Sequence, residues 1–240
     1  MIWQLIWRTL ASAAVAYLIG SLSPAILITR AFTRQDIRTM GSGNAGFTNV
    51  LRSVGTLPAV LTITCDFLKG VVAVLFGWWL FSSMAVTNDV APIEYVKYGG
   101  YLAGMFTIIG HAFPLYFGFK GGKGVVTTAA MMAVVDWRVF LICFSCFLIV
   151  FLFTRIISLG SMVGATMYPI VTCLVLYFGD YLPRIGQPDE LRFRFVMIST
   201  AFAIVVAVMV VIMHKENIKR LINGEEKKLR VKKHTSEGTV

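Results

Sequence analysis

Long runs without a charged residue constrain this chain most. No Asp, Glu, Lys or Arg occurs over residues 9–29, 70–88, 98–119, 124–135, 139–154, 156–179 or 195–214. The second run reaches back to Ser53 if Asp66 and Lys69 are tolerated inside it. A bilayer's hydrocarbon core, about 30 Å thick, is crossed by about 20 helical residues. In that solvent every backbone N–H and C=O has to be paired, which a helix does within its own segment. The runs therefore predict membrane-spanning helices. Composition agrees: with 57% apolar and 14% charged residues and a mean hydropathy of +0.76, there are too few polar side chains to cover a water-soluble surface.

Seven runs predict an all-α, polytopic membrane protein with seven transmembrane helices. The least certain boundary lies between 124–135 and 139–154, where only Asp136, Trp137 and Arg138 intervene, enough for a tight hairpin or for a bend in one span. The two options send the C-terminal tail to opposite sides, so the positive-inside bias decides between them. Seven spans put fifteen Lys and Arg inside and six outside, with Lys69 within a helix; six spans would move the eight cations of the tail outside. The expected topology has the N-terminus outside and the C-terminus in the cytoplasm. Positive charge is heavier after the first run, at Arg30, Arg34 and Arg38, which fits an uncleaved span and not a removed secretory signal. Neither a repeat nor a Pro/Ser-rich linker divides the chain, so residues 1–228 form a single expected domain and 229–240 a basic, disordered tail. Cys65, Cys143, Cys146 and Cys173 all lie in apolar runs and read as small apolar fillers.

Three polar segments fall on the inner side, each rich in groups that hold oxyanions. The first, GSGNAGFTNVLR from Gly41 to Arg52, combines turn-permitting glycines with neutral donors at Ser42, Asn44, Thr48 and Asn49 and a guanidinium at Arg52. Read alone, it is equally an ordinary turn. In the second, GHAFPLYFGFKGGKGVVTT from Gly110 to Thr128, the glycines 121, 122 and 124 predict a backbone cradle for phosphate. It sits at a helix N-terminus, with Lys120 and Lys123 as cations. The nucleotide-binding spacing G-x-x-x-x-G-K-[ST] is absent. A helix over 121–137 would reach only about 25 Å and start below the membrane surface. The third, HKENIKRLINGEEKK, puts His214, Asn217 and Arg220 on one helical face; alone it reads as a polybasic stretch for anionic lipid. Asp66 and Lys69, three apart in an apolar span, are expected to face the bundle as a pair, either functional or holding a loop in place. His111 is a candidate general base or a scaffold residue.

GSGNAGFTNVLR, GHAFPLYFGFKGGKGV and HKENIKRLINGEEK, with Asp66-x-x-Lys69-Gly70 between them, resemble the three cytoplasmic motifs of the bacterial acyl-phosphate glycerol-3-phosphate acyltransferase family, from about Gly20 to Lys228. Phe47 stands where Ala is expected, and the tail after Glu226 is longer and more basic. The resemblance implies a bacterial inner-membrane enzyme with its active site facing the cytoplasm. It would acylate position 1 of sn-glycerol 3-phosphate from acyl phosphate, yielding lysophosphatidic acid and inorganic phosphate. No cofactor, metal or nucleic acid is implied; the partners are the two substrates, the bilayer and the soluble enzyme that makes acyl phosphate. It implies catalytic roles for Ser42, Arg52, Lys123, His214 and Asn217. Substrate binding would fall to Gly41, Asn44, Thr48, Asn49, Asp66, Lys69, His111, Lys120, Gly121, Gly122, Gly124, Ser158 and Arg220. The His-x4-Asp arrangement of many acyl-CoA acyltransferases is missing after His111 and His214, and there is no G-x-S-x-G elbow. An anion or phosphate-ester transporter is the rival reading, but transporters bind near the midplane between repeats, whereas these cations cluster at one face.

Overall fold

The computed structural model describes residues 2–84, 92–187 and 191–229. Its regular elements are all helical: α1 (Ile2–Ser21), α2 (Pro24–Thr33), α3 (Phe47–Ser53), α4 (Thr56–Ser82), α5 (Pro92–Ala112), α6 (Val125–Val135), α7 (Trp137–Thr154), α8 (Ile157–Leu174), α9 (Phe193–Met213) and α10 (Lys215–Ile222). Among the described residues, five stretches are long and apolar enough to cross a membrane: residues 2–33, 56–82, 137–154, 157–184 and 193–213. Of the other two expected spans, α5 has 21 residues but opens with Glu94 and Lys97. α6 has only 11 residues, about 16 Å of helix. The helix expected over 121–137 is therefore shorter, because residues before Val125 are spent in a loop. The end of the run at 85–88 and the tail from residue 230 lie outside the described residues.

Local chemistry explains the breaks. The first run bends after Ser21 because Pro24 has no N–H to give to the carbonyl four residues back, Gly20; α2 restarts with that proline at its first position. Between α6 and α7 the backbone of Asp136 turns extended (φ −154°, ψ 101°), and its side chain accepts from the Arg138 amide to cap α7. That joint separates two helices within a single residue.

Pairings at one end fix the bundle's order. Arg8, near the start of α1, is buried and donates to Leu80 O and to Ser83 Oγ (2.9 Å) at the end of α4. Lys97 Nζ at the start of α5 donates to Val135 O at the end of α6 (3.2 Å). Arg138 at the start of α7 bridges Asp136 (2.7 Å) and Asp180 (2.6 Å) beyond α8, and Glu94 accepts from the Arg192 amide at the start of α9 (2.9 Å). Between the ends, Val74, Tyr101, Ile108, Met131, Val139, Tyr168 and Val206 form the largest apolar core, drawn from α4 to α9. The three polar segments singled out in the sequence all lie at the opposite end, where α2, α5, α7 and α9 finish.

Candidate active site

A buried polar triad lies inside the bundle. Asp66, Lys69 and His111 are 1%, 7% and 6% exposed. Lys69 Nζ lies 2.8 Å from Asp66 Oδ1 and 2.9 Å from His111 Nδ1, and it donates to Gly20 O (3.1 Å) and Leu22 O (2.7 Å). Gly20 O is the carbonyl that Pro24 leaves without a partner. The buried ammonium thus satisfies the break in the first membrane segment, and Asp66 balances its charge. This is the loop-holding alternative for the pair, with no donor of Lys69 left pointing into open space. On the far side of the triad, the His111 ring faces the glycine loop: a Cβ on Gly122 would collide with His111 Nε2 and lie 2.6 Å from Ala45 O.

That loop departs from the expected cradle. The amides of Gly121 and Gly122 donate to Ala112 O and His111 O, both at 3.1 Å, so they cap α5 and are not open to a ligand. The anion-holding part begins later. Gly124 takes φ +74° as the N-cap of α6, and the first amides of that helix, Val125 to Thr127, meet no carbonyl, as at any unblocked helix start.

The 41–53 loop is organised from within by one side chain. Asn49, 3% exposed, donates to Ile37 O (3.2 Å), Met40 O (3.0 Å) and Asn44 O (3.1 Å) and accepts from the Ser42 amide (3.0 Å). Gly41, at φ +55°, leaves room for the Asn49 carbonyl. Ser42 and Arg52 remain exposed, while Asn44 and Thr48 are half-buried. Arg38, itself paired with Asp36 (2.8 Å), donates to Phe117 O (2.6 Å) and ties this loop to the turn after α5.

Above the triad lies a second cluster centred on Glu226, which the sequence reading passed over. Ser158 Oγ (2.6 Å) and Asn217 Nδ2 (2.6 Å) donate to Glu226 Oε1, and Arg220 Nε to Oε2 (2.7 Å). Asn217 Oδ1 in turn accepts from Lys123 Nζ. Arg52 Nη2 donates to Lys227 O (3.0 Å), and the Leu229 amide to Arg155 O (2.8 Å). Segment 225–229 is therefore strapped across the ends of α3, α7, α8 and α10. His214, 2% exposed, points Nδ1 at Val210 O (2.7 Å), which leaves Nε2 as its free nitrogen.

Burial and the nearby Arg220 and Arg52 bring the Lys123 ammonium down to about 8, against a smaller opposing pull from Glu226. Burial likewise lowers His214 to about 4, outweighing its bond to Val210 O, so the ring is neutral at pH 7. For Glu226, burial acts upward, but the hydrogen bonds from Ser158, Arg220 and Asn217 win and hold the carboxyl below its ordinary value. The end result is a cation-rich patch, with Arg52, Lys123 and Arg220 around one fixed carboxylate and a neutral imidazole beside them. Such a patch can bind phosphate groups and place a hydroxyl against His214 Nε2.

Of the expected site residues, Arg52, Lys123, Ser158, His214, Asn217 and Arg220 meet in this cluster. Asp66, Lys69, His111, Gly121 and Gly122 form the support beneath it; Gly41, Ser42, Asn44 and Asn49 share the neighbouring loop. Lys120 is exposed and its side chain has no partner among the described residues. The signal for Glu226 was there, as an acid following Asn223-Gly224 in a basic stretch, but a polybasic reading hides it.

The model for the family "Glycerol-3-phosphate acyltransferase" matches residues 10–224. The chain is 35% identical over 221 residues to a glycerol-3-phosphate acyltransferase of Clostridioides difficile, covering 92% of this chain and 95% of that protein. To glycerol-3-phosphate acyltransferase 2 of Moorella thermoacetica it is 38% identical, covering 92% and 97%. In three dimensions it is similar to crystal structures of PlsY, an integral membrane glycerol 3-phosphate acyltransferase. The glycerol 3-phosphate form gives a TM-score of 0.72 at 31% identity, over 92% of this chain and 96% of that one; the lysophosphatidic acid form gives 0.69 at 29%. With the family model spanning most of the chain and the architecture shared, this integral membrane protein belongs to the glycerol-3-phosphate acyltransferase family.

Proposed function

We propose that the chain transfers a fatty acyl group from acyl phosphate to the 1-hydroxyl of sn-glycerol 3-phosphate, from a seven-helix bundle whose site end faces the cytoplasm. The observation that carries the reading is the Arg52–Lys123–Arg220 patch beside a neutral His214. Two phosphate-bearing substrates need several cations at one place, and an acyl phosphate is already activated, so no covalent enzyme intermediate is required. The hydroxyl oxygen attacks the acyl carbonyl carbon, the new C–O ester bond forms and the acyl C–O bond to phosphorus breaks. Inorganic phosphate leaves with the bond electrons. The hydroxyl proton passes to a phosphate oxygen of the donor, whose second pKa lies near 6 by analogy with a phosphoserine. Lys123, Arg52 and the open amides of α6 hold phosphates and compensate the developing charge. His214 Nε2 and Ser42 orient the hydroxyl. Asn49, Asp66, Lys69, His111 and Glu226 act as positioning residues. The orientation rests on the fifteen-to-six charge bias. The lysophosphatidic acid form of the similar PlsY structure supports the product assignment.

The test is donor choice. Purified protein given palmitoyl phosphate and labelled glycerol 3-phosphate, with a chelator and without coenzyme A, should form lysophosphatidic acid. Turnover with acyl-CoA and none with acyl phosphate would reject the proposal.

A further inference from the structure

The site end carries cations that neither the site nor the support uses. Arg34 and Arg155 end α2 and α7 in left-handed conformation, at φ 57° and 60°, a position where glycine is the usual residue. Each follows, two residues on, an exposed aromatic: Phe32 is 51% and Phe153 86% exposed. An aromatic ring in hydrocarbon with a guanidinium one step further out is the arrangement of a side chain reaching from the apolar layer to headgroup phosphates. On α10, Lys215 and Lys219 are exposed one turn apart, and the strap adds exposed Lys227 and Lys228. Ile222, 80% exposed, adds an uncovered apolar side chain at the end of α10. These six side chains have no acidic partner among the described residues, and the exposed acids beside them on α10 and the strap are Glu216 and Glu225.

We infer that these six cations bind anionic lipid headgroups and seat the site end in the headgroup layer. Charge complementarity selects that occupant, because Arg34, Arg155 and Lys215 sit at the ends of apolar helices and Lys219, Lys227 and Lys228 follow on the segments beyond α9. A consequence, which rests on the proposed reaction, is that the collar neutralises the surface through which anionic glycerol 3-phosphate has to approach.

The full-length chain is reconstituted in phosphatidylcholine bilayers containing spin-labelled phosphatidylglycerol or spin-labelled phosphatidylcholine, and the relative association of the two lipids is read by electron spin resonance. Wild type should prefer phosphatidylglycerol by about fivefold at low salt, the equivalent of one headgroup contact near a charged surface, and high salt should reduce the preference. Replacing all six cations by Gln should lower it about threefold, with Lys120 and the cations after Leu229 left in place. The pair K215Q/K219Q, confined to an exposed helix face, should bring it part of the way. A wild-type preference no larger than that of the six-fold variant would overturn the inference. Turnover in the same bilayers separates the two claims. A chain that selects phosphatidylglycerol but does not use acyl phosphate would keep the collar and remove the reaction. If the reaction holds, the six-fold variant should keep kcat and raise the KM for glycerol 3-phosphate several-fold in phosphatidylglycerol, not in pure phosphatidylcholine.

Discussion

Replacing Lys69 by Met keeps most of the side chain's volume and removes its charge, which separates a structural pin from a substrate ligand. In the folded protein its ammonium answers Asp66 Oδ1 at 2.8 Å and the carbonyls of Gly20 and Leu22 at 3.1 and 2.7 Å. Without it, a carboxylate that is 1% exposed loses its cation and the break before Pro24 loses its donor. Removing one partner of a buried ion pair costs about 3–5 kcal/mol. At about 2–4 °C per kcal/mol for a chain of this size, Lys69→Met should lower Tm by roughly 10 °C. Adding Asp66→Asn removes the stranded charge and should recover about 1–3 kcal/mol of coupling. The assay is a double-mutant cycle of thermal unfolding in micelles, with the KM for glycerol 3-phosphate measured on the surviving protein. KM should stay near wild type. A Lys69→Met protein with unchanged Tm and a KM raised more than tenfold would refute the reasoning and make Lys69 a phosphate ligand.

Three further perturbations address the loop and the upper cluster. Glu226→Gln weakens charge-assisted bonds to Ser158, Asn217 and Arg220; at about 1.5–3 kcal/mol for such a bond, kcat/KM should fall at least tenfold, and an unchanged value would show that the strap is incidental. With Lys123 brought to about 8, the protonated, active form is lost as pH rises, so kcat/KM should decline above pH 8; in Lys123→Arg that limb should move to higher pH, because a guanidinium stays charged. Gly122→Ala drives a methyl against His111 and Ala45 and should cost about 1–3 kcal/mol in thermal stability, whereas a glycine kept only for a ligand's approach would leave Tm unchanged.

The helical architecture was readable because hydrocarbon leaves a chain few alternatives: each expected run holds a helix, five stretches of the described residues are long and apolar enough to cross a membrane, and the three polar segments do gather at one end. The first break was missed because hydropathy averages over Ser23 and Pro24, both of which pass as span residues. Lys120 and Lys123 look alike in sequence, yet one is exposed and unpaired and the other reaches Asn217, since the turn capping α5 lies between them. Gly121 and Gly122 fitted a phosphate loop by composition; their amides go to α5 because that helix ends with carbonyls that need donors. Glu226 was hidden by its basic neighbours, since only tertiary structure brings Ser158 from 68 residues away. The Asp66–Lys69 pair was visible, but its partner carbonyls were not, because backbone acceptors leave no mark in a sequence.

The central claim is that cations and bound phosphate, and not a side-chain base, carry the acyl transfer, and kcat against pH for wild type and His214→Gln at saturating acyl phosphate tests it most directly. His214 is neutral, brought to about 4, with Nδ1 committed to Val210 O, and the role proposed for it is to orient the hydroxyl. His214→Gln should lose about one to two orders of magnitude in kcat and keep the shape of the wild-type profile. A loss of about four orders of magnitude, at the upper end of general-base catalysis, together with disappearance of a wild-type pH limb, would contradict the claim and make His214 the base.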